Sequence, residues 1–219
     1  MFETTQIFGI PVYKIRIDPG SYDKKDIIST IEKNYNIGPR NPKNGFRNSD
    51  IHMSYADQNN EKYEKVNYEK LKDVYKNVFQ NFIDEFQFNY IKNLQYDFDI
   101  VNYTASKNND SFMETHNHLD ECNFSCVHYL QLNENHAQTN FENTNIFAKY
   151  FKYIYKSFFK IIDSKSILNS FMFENLTLSV SENDMIIFPS VTEHNIPKQN
   201  FITDKLRITV VTNLNLKSK

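Results

Sequence analysis

Residues 94–104 read LQYDFDIVNYT, and this stretch marks the point where the chain changes from helical to strand periodicity. Apolar and aromatic side chains alternate here with polar ones, which predicts a half-buried β-strand. Five side chains at alternating positions are predicted to share one face of this strand: Leu94, Tyr96, Phe98, Ile100 and Asn102.

The residues before this strand carry a different pattern. Apolar positions recur at intervals of three and four over residues 64–90, which predicts a long amphipathic helix, and residues 22–34 have the spacing of a shorter one. Residues 6–17 are predicted to form a strand, and the polar residues 36–60 an extended loop. The aromatic residues 148–168 leave a helix and a long loop insertion open.

Short strand-like segments fill most of the chain after residue 104. They are predicted at residues 111–118, 124–132, 138–147, 172–180, 184–189, 192–197 and 205–215. Helices that come first and short strands that follow predict an antiparallel sandwich or barrel with helices packed on one side.

Composition excludes several classes of function. The 25 basic and 27 acidic residues give a net charge of −2, so no field of one sign favours nucleic acid or a membrane surface. Only four glycines are present, and no phosphate-binding loop, dinucleotide motif or nucleophile elbow can be found among them. Cys122 and Cys126 are expected to stay reduced and inert, because side chains at this spacing on one strand do not easily form a disulfide.

Several possible metal ligands share the segment 115–120, which reads THNHLD. Side chains two residues apart on a strand share a face, so His116, His118 and Asp120 would point the same way if the strand runs that far. His118 and Asp120 have the H-x-D spacing of a facial iron triad, which needs one more histidine from a distant strand. His194, at the start of a later predicted strand, can supply it.

Arg207 is the only arginine after Arg47, and it lies in a predicted apolar strand. An arginine in such a place is rarely fully buried unless it is paired. Its planar guanidinium group suits a carboxylate through two parallel hydrogen bonds. The partner can be a structural carboxylate, such as Glu182 or Asp204, or the carboxylate of a bound small molecule.

The motifs H-x-H-x-D, F-P-S-x-x-x-H and R-I-T-V-x-x-N together resemble those of the iron(II)- and 2-oxoglutarate-dependent oxygenases. The likeness is closest to a small family common in phages and bacteria. Its further matching segments are residues 8–13 (FGIPVY), 125–130 (SCVHYL) and 188–190 (FPS), together with Asn213. The sequence departs from the family at Leu119 and Cys126, where the family usually has proline and glycine.

This resemblance implies a mainly β fold with flanking helices, a double-stranded β-helix of the cupin-like jelly-roll type. One domain would span residues 1–219, with an N-terminal strand and helices in 1–92 and a jelly-roll core in 93–219. The implied cofactor is Fe(II), and the implied cosubstrate is 2-oxoglutarate. The enzyme would be a dioxygenase that couples decarboxylation of 2-oxoglutarate to oxidation of a C–H bond in another substrate, which the sequence does not identify.

The resemblance also implies how the site is divided among residues. The far carboxylate of 2-oxoglutarate would pair with Arg207, and three nearby side chains could assist: Tyr103, Tyr129 and Thr209. For iron, facial-triad chemistry favours His118, Asp120 and His194 as ligands and catalytic residues. The family's recurrent pair corresponds instead to His116 and His118, so His116 is a rival ligand or a neighbour that supports the ligands.

Two other classes of function stay open. A cupin-like metal-binding jelly roll without a keto acid would not need Arg207, and a non-catalytic binding module would carry no stoichiometric iron. We expect the partner to be a small-molecule or peptide substrate, and neither nucleic acid nor a membrane. The lack of a secretory signal favours a cytoplasmic location, which includes that of a phage-infected host. Residues 36–60 and 133–170 are expected to flank the mouth of the site and set its specificity.

Overall fold

The computed structural model shows a mainly β fold with two helices and eleven strands among the residues that it describes. These are residues 1–7, 9–37, 51–54, 61–85, 94–107, 111–145, 150, 174–198 and 204–218. Most of the predicted loop 36–60, the end of the predicted helix 64–90 and nearly all of the segment 148–168 lie outside them. No helix in the described ranges is both long and apolar enough to cross a membrane.

Two antiparallel sheets form the core of the fold. The larger sheet has seven strands in the spatial order β1 (Glu3–Ile7), β2 (Ile10–Arg16), β9 (Asp184–Pro189), β6 (Phe124–Gln131), β11 (Arg207–Ser218), β4 (Leu94–Ser106) and β3 (His52–Met53). The smaller sheet has four, in the order β5 (Met113–His116), β10 (His194–Ile196), β7 (Asn140–Glu142) and β8 (Asn175–Thr177). This arrangement confirms the predicted jelly roll.

The central strands of the larger sheet are buried on both faces. In β9, Met185 and Ile187 pack among the helices, whereas Ile186 and Phe188 pack against Phe141 of the smaller sheet. The helices on the outer face are α1 (Lys24–Ile37) and α2 (Glu69–Glu85), which confirm the two predicted helices. Strands covered on both sides read as apolar runs, which explains the sequence DMIIFP of β9.

The N-terminal segment forms a hairpin and not the single strand predicted for residues 6–17. Strands β1 and β2 pair in register, with Ile7 opposite Ile10. Gly9, between them, has a φ of 83°, a backbone conformation that glycine adopts without a steric penalty. The prediction was wrong because alternation continues on both sides of so short a turn.

A β-bulge at Val101 changes which face the following side chains of β4 occupy. Consecutive residues of β11 pair with Ile100 and Asn102, so Val101 has no opposite residue. Leu94 and Ile100 before the bulge face the helices, and Tyr103 after it does so too. The prediction that Asn102 shares a face with Leu94 is therefore wrong, because an inserted residue shifts the alternation by one.

His128 is fully buried on the helix side of β6. Its Nδ1 atom lies 2.9 Å from the hydroxyl oxygen of Tyr75 in α2. Burial, helped by the nearby charge of Lys24, lowers the pKa of His128 to about 3. The imidazole is therefore neutral inside the folded protein at all moderately acidic pH values.

We expect this neutral histidine to make the protein less stable in acid. The unfolded chain protonates His128 near its ordinary pKa of about 6.5, so between this pH and about 3 the unfolded state binds more protons. The free energy of unfolding then falls as the pH decreases, by up to about 1.4 kcal/mol per pH unit for this group. Urea unfolding between about pH 6.5 and about pH 4.5 should show a shallower decrease in a His128→Gln variant. Equal slopes would contradict the prediction.

Candidate metal centre

Three histidines meet at one end of the smaller sheet. His116 is the last residue of β5 and His194 the first of β10, and the two are directly opposite in the strand register. His118 follows in the turn after β5. The ring centroids are 4.3 Å apart for His116 and His194, 5.3 Å for His118 and His194, and 5.2 Å for His116 and His118. One nitrogen from each ring lies within 4.8 Å of the other two.

Each of the three rings is oriented through its Nδ1 atom. The acceptors are the carbonyl oxygen of Glu114 for His116 (2.8 Å), the carboxylate of Glu121 for His118 (3.0 Å) and the carbonyl oxygen of Thr192 for His194 (2.9 Å). These oxygens accept the hydrogen bond, so each Nδ1 carries a hydrogen, and in the neutral imidazole Nε2 then carries the lone pair. Metal-binding histidines are held in this way, and three such imidazoles fit a transition-metal ion.

His194 is the most buried of the three, with 5% of its surface exposed. Burial lowers its pKa to about 3, and the neighbouring rings of His116 and His118 add to this effect. The ring of Phe188 packs against it with a centroid distance of 4.8 Å. His194 is therefore a neutral, well-positioned ligand at ordinary pH.

The predicted strand across residues 111–118 ends early, and this changes the ligand set. Strand β5 stops at His116, and the backbone then turns, with the N–H group of Glu121 donating to the carbonyl of His118 at 2.9 Å. Strand alternation therefore does not extend to Asp120. Its side chain is exposed and outside the group of ligand atoms found in the described residues. The structure brings His116, and not Asp120, to His118 and His194.

The F-P-S motif positions the loop that carries His118. Ser190, just after β9, accepts a hydrogen bond from the backbone N–H of His118 through its carbonyl oxygen, at 2.9 Å. Its own N–H donates to the carbonyl of Asn123 at 3.0 Å. The end of β9 thus holds both ends of the segment 118–123, which explains why this motif accompanies the histidines.

The three rings line a cavity of about 590 Å³ between the two sheets. This volume is typical of a site for a small ligand. Most of its surface is apolar, from six side chains: Met53, Val101, Met113, Val127, Ile196 and Val211. Three of its polar side chains come from β11, where Arg207, Thr209 and Asn213 alternate along the cavity side of the strand.

Arg207 is almost completely buried, with 1% of its surface exposed. Its Nε atom donates to the carbonyl oxygen of Ala137 at 2.6 Å, and its guanidinium carbon lies 5.7 Å from the ring centroid of Tyr129. Its Nη2 atom is buried without a hydrogen-bond partner among the residues that the structure describes. Of the predicted structural partners, Glu182 instead pairs with Lys24 at 2.6 Å, and Asp204 is exposed.

A buried guanidinium group without an anion is unfavourable, because burial disfavours the charged form. Burial accordingly lowers the pKa of Arg207 from its ordinary value. Since Arg207 lines the cavity and no carboxylate pairs with it in the described part of the chain, an anion bound in the cavity would complete its hydrogen bonds. The arrangement fits a ligand carboxylate at this end.

Two of the predicted assisting residues lie near Arg207. Thr209 faces the cavity, and its hydroxyl oxygen is 2.6 Å from that of Thr104. Tyr129 is on the same face of the sheet, but its hydroxyl is buried against the hydroxyl of Thr139, at 2.6 Å. It is Thr139 that lines the cavity. No sequence motif marks Thr139, so it was missed.

Tyr103 faces away from the cavity, which corrects its predicted role. The bulge at Val101 turns this side chain toward the helices. Its hydroxyl accepts a hydrogen bond from Nδ2 of Asn34 at 3.0 Å and lies 3.1 Å from Nε2 of His52. Asn102, which the sequence pattern placed on the same face as Leu94, lines the cavity instead.

We expect metal binding to depend on His116 and not on Asp120. His116→Ala removes one of three clustered nitrogens and should weaken Fe(II) or Co(II) binding by about 100-fold, measured by anaerobic calorimetry. Asp120→Ala removes an exposed carboxylate outside the cluster and serves as the matched control, with nearly unchanged affinity. If Asp120→Ala weakened metal binding and His116→Ala did not, the ligands would instead be His118, Asp120 and His194.

The comparisons with known proteins concern the fold. The sequence matches no family model and no curated protein. The structure is similar to a prolyl-4-hydroxylase from Pseudomonas putida, with a TM-score of 0.50 over 93% of this chain and 91% of the other, at 10% identity. It is also similar to the non-heme α-ketoglutarate-dependent epimerase SnoN from nogalamycin biosynthesis, with a TM-score of 0.52 over 94% and 77%, at 8% identity. This chain therefore has the fold of these two enzymes.

Proposed function

We propose that this protein is an Fe(II)- and 2-oxoglutarate-dependent oxygenase that couples decarboxylation of 2-oxoglutarate to oxidation of a C–H bond in a second substrate. One observation carries the proposal: a cluster of three histidines lines the same cavity as the buried guanidinium of Arg207, which pairs with no carboxylate in the described part of the chain. A metal ligand set beside an anion site is what a chelating dicarboxylic acid needs. The shared fold with a hydroxylase and an α-ketoglutarate-dependent epimerase supports the proposal.

The residues that would hold iron are His116, His118 and His194, through their Nε2 atoms. Three protein ligands leave positions open for the keto acid and dioxygen. Bound Fe(II) would supply the oxygen chemistry, which no side chain of this chain can perform. The protein's own contribution at this point is orientation, because carbonyl or carboxylate oxygens fix each ring through Nδ1.

Arg207 would bind the far carboxylate of 2-oxoglutarate through Nη2. The paired hydroxyls of Thr209 and Thr104 lie on the same wall and can add a hydrogen bond. Tyr129 would contribute indirectly, because its ring packs against the guanidinium and its hydroxyl group hydrogen-bonds to Thr139. A hydrogen bond to a charged group contributes about 1.5–3 kcal/mol.

A second candidate function is a cupin-like metal site without a keto acid. The all-histidine cluster favours it, because facial oxygenase triads contain a carboxylate and no carboxylate belongs to the cluster found in the described chain. This candidate does not explain why Arg207 is buried without a carboxylate partner among the described residues, so we rank it below the oxygenase.

Anaerobic titration with Fe(II) and then 2-oxoglutarate tests the proposal directly. We expect one iron per chain and a weak visible charge-transfer band that appears only when the keto acid chelates the metal. Admission of air should then yield succinate. Iron binding without the band would favour the cupin-like alternative, and the lack of stoichiometric iron would favour a non-catalytic module.

Substitution of Arg207 separates cosubstrate binding from metal binding. Arg207→Gln should weaken 2-oxoglutarate binding by about 10- to 100-fold, since a charge-assisted bond is lost, with little change in Fe(II) affinity. Retained Fe(II) binding also shows that the variant is folded. Arg16→Gln, at an exposed arginine that pairs with Asp184 at 3.4 Å, is the matched control. Unchanged 2-oxoglutarate affinity in Arg207→Gln would contradict the assignment.

A further inference from the structure

Three polar side chains line the part of the cavity away from Arg207, and each has a buried oxygen atom without a hydrogen-bond partner among the described residues. The buried atoms are Oδ1 of Asn102, Oγ of Ser125 and Oδ1 of Asn213, and none has a hydrogen-bond partner in the described ranges. Ser125 is 0% exposed and Asn102 is 9% exposed. Buried polar atoms are nearly always hydrogen-bonded, so three in one cavity indicate a ligand-binding surface.

The strand register brings these three side chains together. Ser125 of β6 is directly opposite Asn213 of β11, a position where side chains lie about 5 Å apart. Asn102 of β4 is opposite Val211, so it is the diagonal neighbour of Asn213, at about 7–8 Å. One small group can therefore contact all three, and we refer to Asn102, Ser125 and Asn213 as the polar triplet.

The polar triplet is too far from Arg207 to share a ligand the size of 2-oxoglutarate. Along β11, Arg207 is six positions from Asn213 and four from Val211, the residue opposite Asn102, which corresponds to roughly 20 Å and roughly 13 Å along the strand. A five-carbon acid is no longer than about two residues of extended backbone, ~7 Å. If 2-oxoglutarate occupies the Arg207 end, the triplet is left for the second substrate.

The polar triplet borders the metal centre. Ser190 holds the backbone of His118 and also that of Asn123, two residues before Ser125. The loop with His118 and the residues just before β6 therefore both form hydrogen bonds to the backbone of Ser190. A molecule bound to the triplet would lie beside the histidines, where a substrate has to be.

The chemistry of the lining indicates the class of substrate. The amide of an asparagine side chain offers one acceptor and one donor group, which pair with the donor and acceptor of another amide. Apart from the histidines, the charged lining residues in the described chain are Arg207 and Glu121, and Glu121 already binds His118. No phenylalanine or tyrosine lines the described cavity, so a nucleobase would find no ring to stack on.

We propose that the polar triplet binds an amide group of the second substrate, and that this substrate is a neutral peptide with apolar side chains. The apolar residues beside the triplet in the strand register, Val101, Val127 and Val211, would contact those side chains. The proposal rests on the proposed function for the place of 2-oxoglutarate, but the binding of the peptide itself requires neither iron nor the keto acid.

The test uses the capped tripeptide N-acetyl-Ala-Leu-Ala-amide as the probe. Its binding to the full chain is measured by saturation-transfer NMR, with and without Fe(II) and 2-oxoglutarate under anaerobic conditions. We expect saturable binding in both cases. Asn213→Leu, which keeps the side-chain volume but removes the amide, should weaken it by about tenfold or more. Asn175→Leu, at an exposed residue of β8, is the matched control and should bind like the unaltered protein.

A second variant and a second ligand complete the test. Ser125→Ala changes one oxygen atom and should weaken binding in the same direction, and free leucine, which is a zwitterion, should bind at least about tenfold more weakly than the probe. Lack of probe binding, or equal binding by Asn213→Leu, Ser125→Ala and the unaltered protein, would overturn the proposal and assign the polar triplet to water. Because the iron-free measurement does not involve 2-oxoglutarate, failure here is distinguishable from failure of the oxygenase assignment.

Discussion

The antiparallel pairing of two short strands, which places His194 directly opposite His116, is the contact on which the candidate metal centre depends. A strand of three residues has little stability alone, so this pair needs the larger sheet beneath it. Phe141 and Phe188 provide the link, with ring centroids 5.2 Å apart between the two sheets. The packing of the apolar core between the two sheets thus holds the strands that carry the histidines in place.

Arg207 places a charged group in the same apolar core. Its guanidinium is as buried as the surrounding apolar side chains, yet it carries a charge that burial disfavours. One carbonyl of Ala137 and the face of Tyr129 compensate only in part. A site of this kind is prepared for an anion, because the cost of removing the guanidinium from water is already met during folding and each new hydrogen bond to a ligand is then strong.

The histidine cluster and Arg207 together determine which charges a ligand in the cavity has to balance. Three neutral imidazoles contribute no negative charge, so a divalent ion bound by them would need its charge balanced by the ligand. A dicarboxylic acid can balance the metal at one end and Arg207 at the other. The uncharged polar triplet then remains for a neutral molecule. The charged residue Arg207 and the uncharged Asn213 therefore line the same cavity from different positions of β11.

The sequence alone was sufficient for the features that depend on local periodicity. The alternation in β4 and the three- and four-residue spacing in α2 indicated the fold class, and the isolated Arg207 and the distant His194 stood out as candidate site residues. These features are readable because a strand or helix imposes its period on every residue that it contains.

The tertiary structure was needed wherever a turn or a bulge interrupts the alternation of side chains along a strand. The turn after β5 selected His116 over Asp120, and the bulge at Val101 exchanged Tyr103 for Asn102 in the cavity. The turn ends the alternation of β5, and the bulge shifts the direction of the later side chains of β4 by one position, which alternation along a single segment does not reveal. The sequence therefore determined which residue types were available, while strand pairing determined which of them meet.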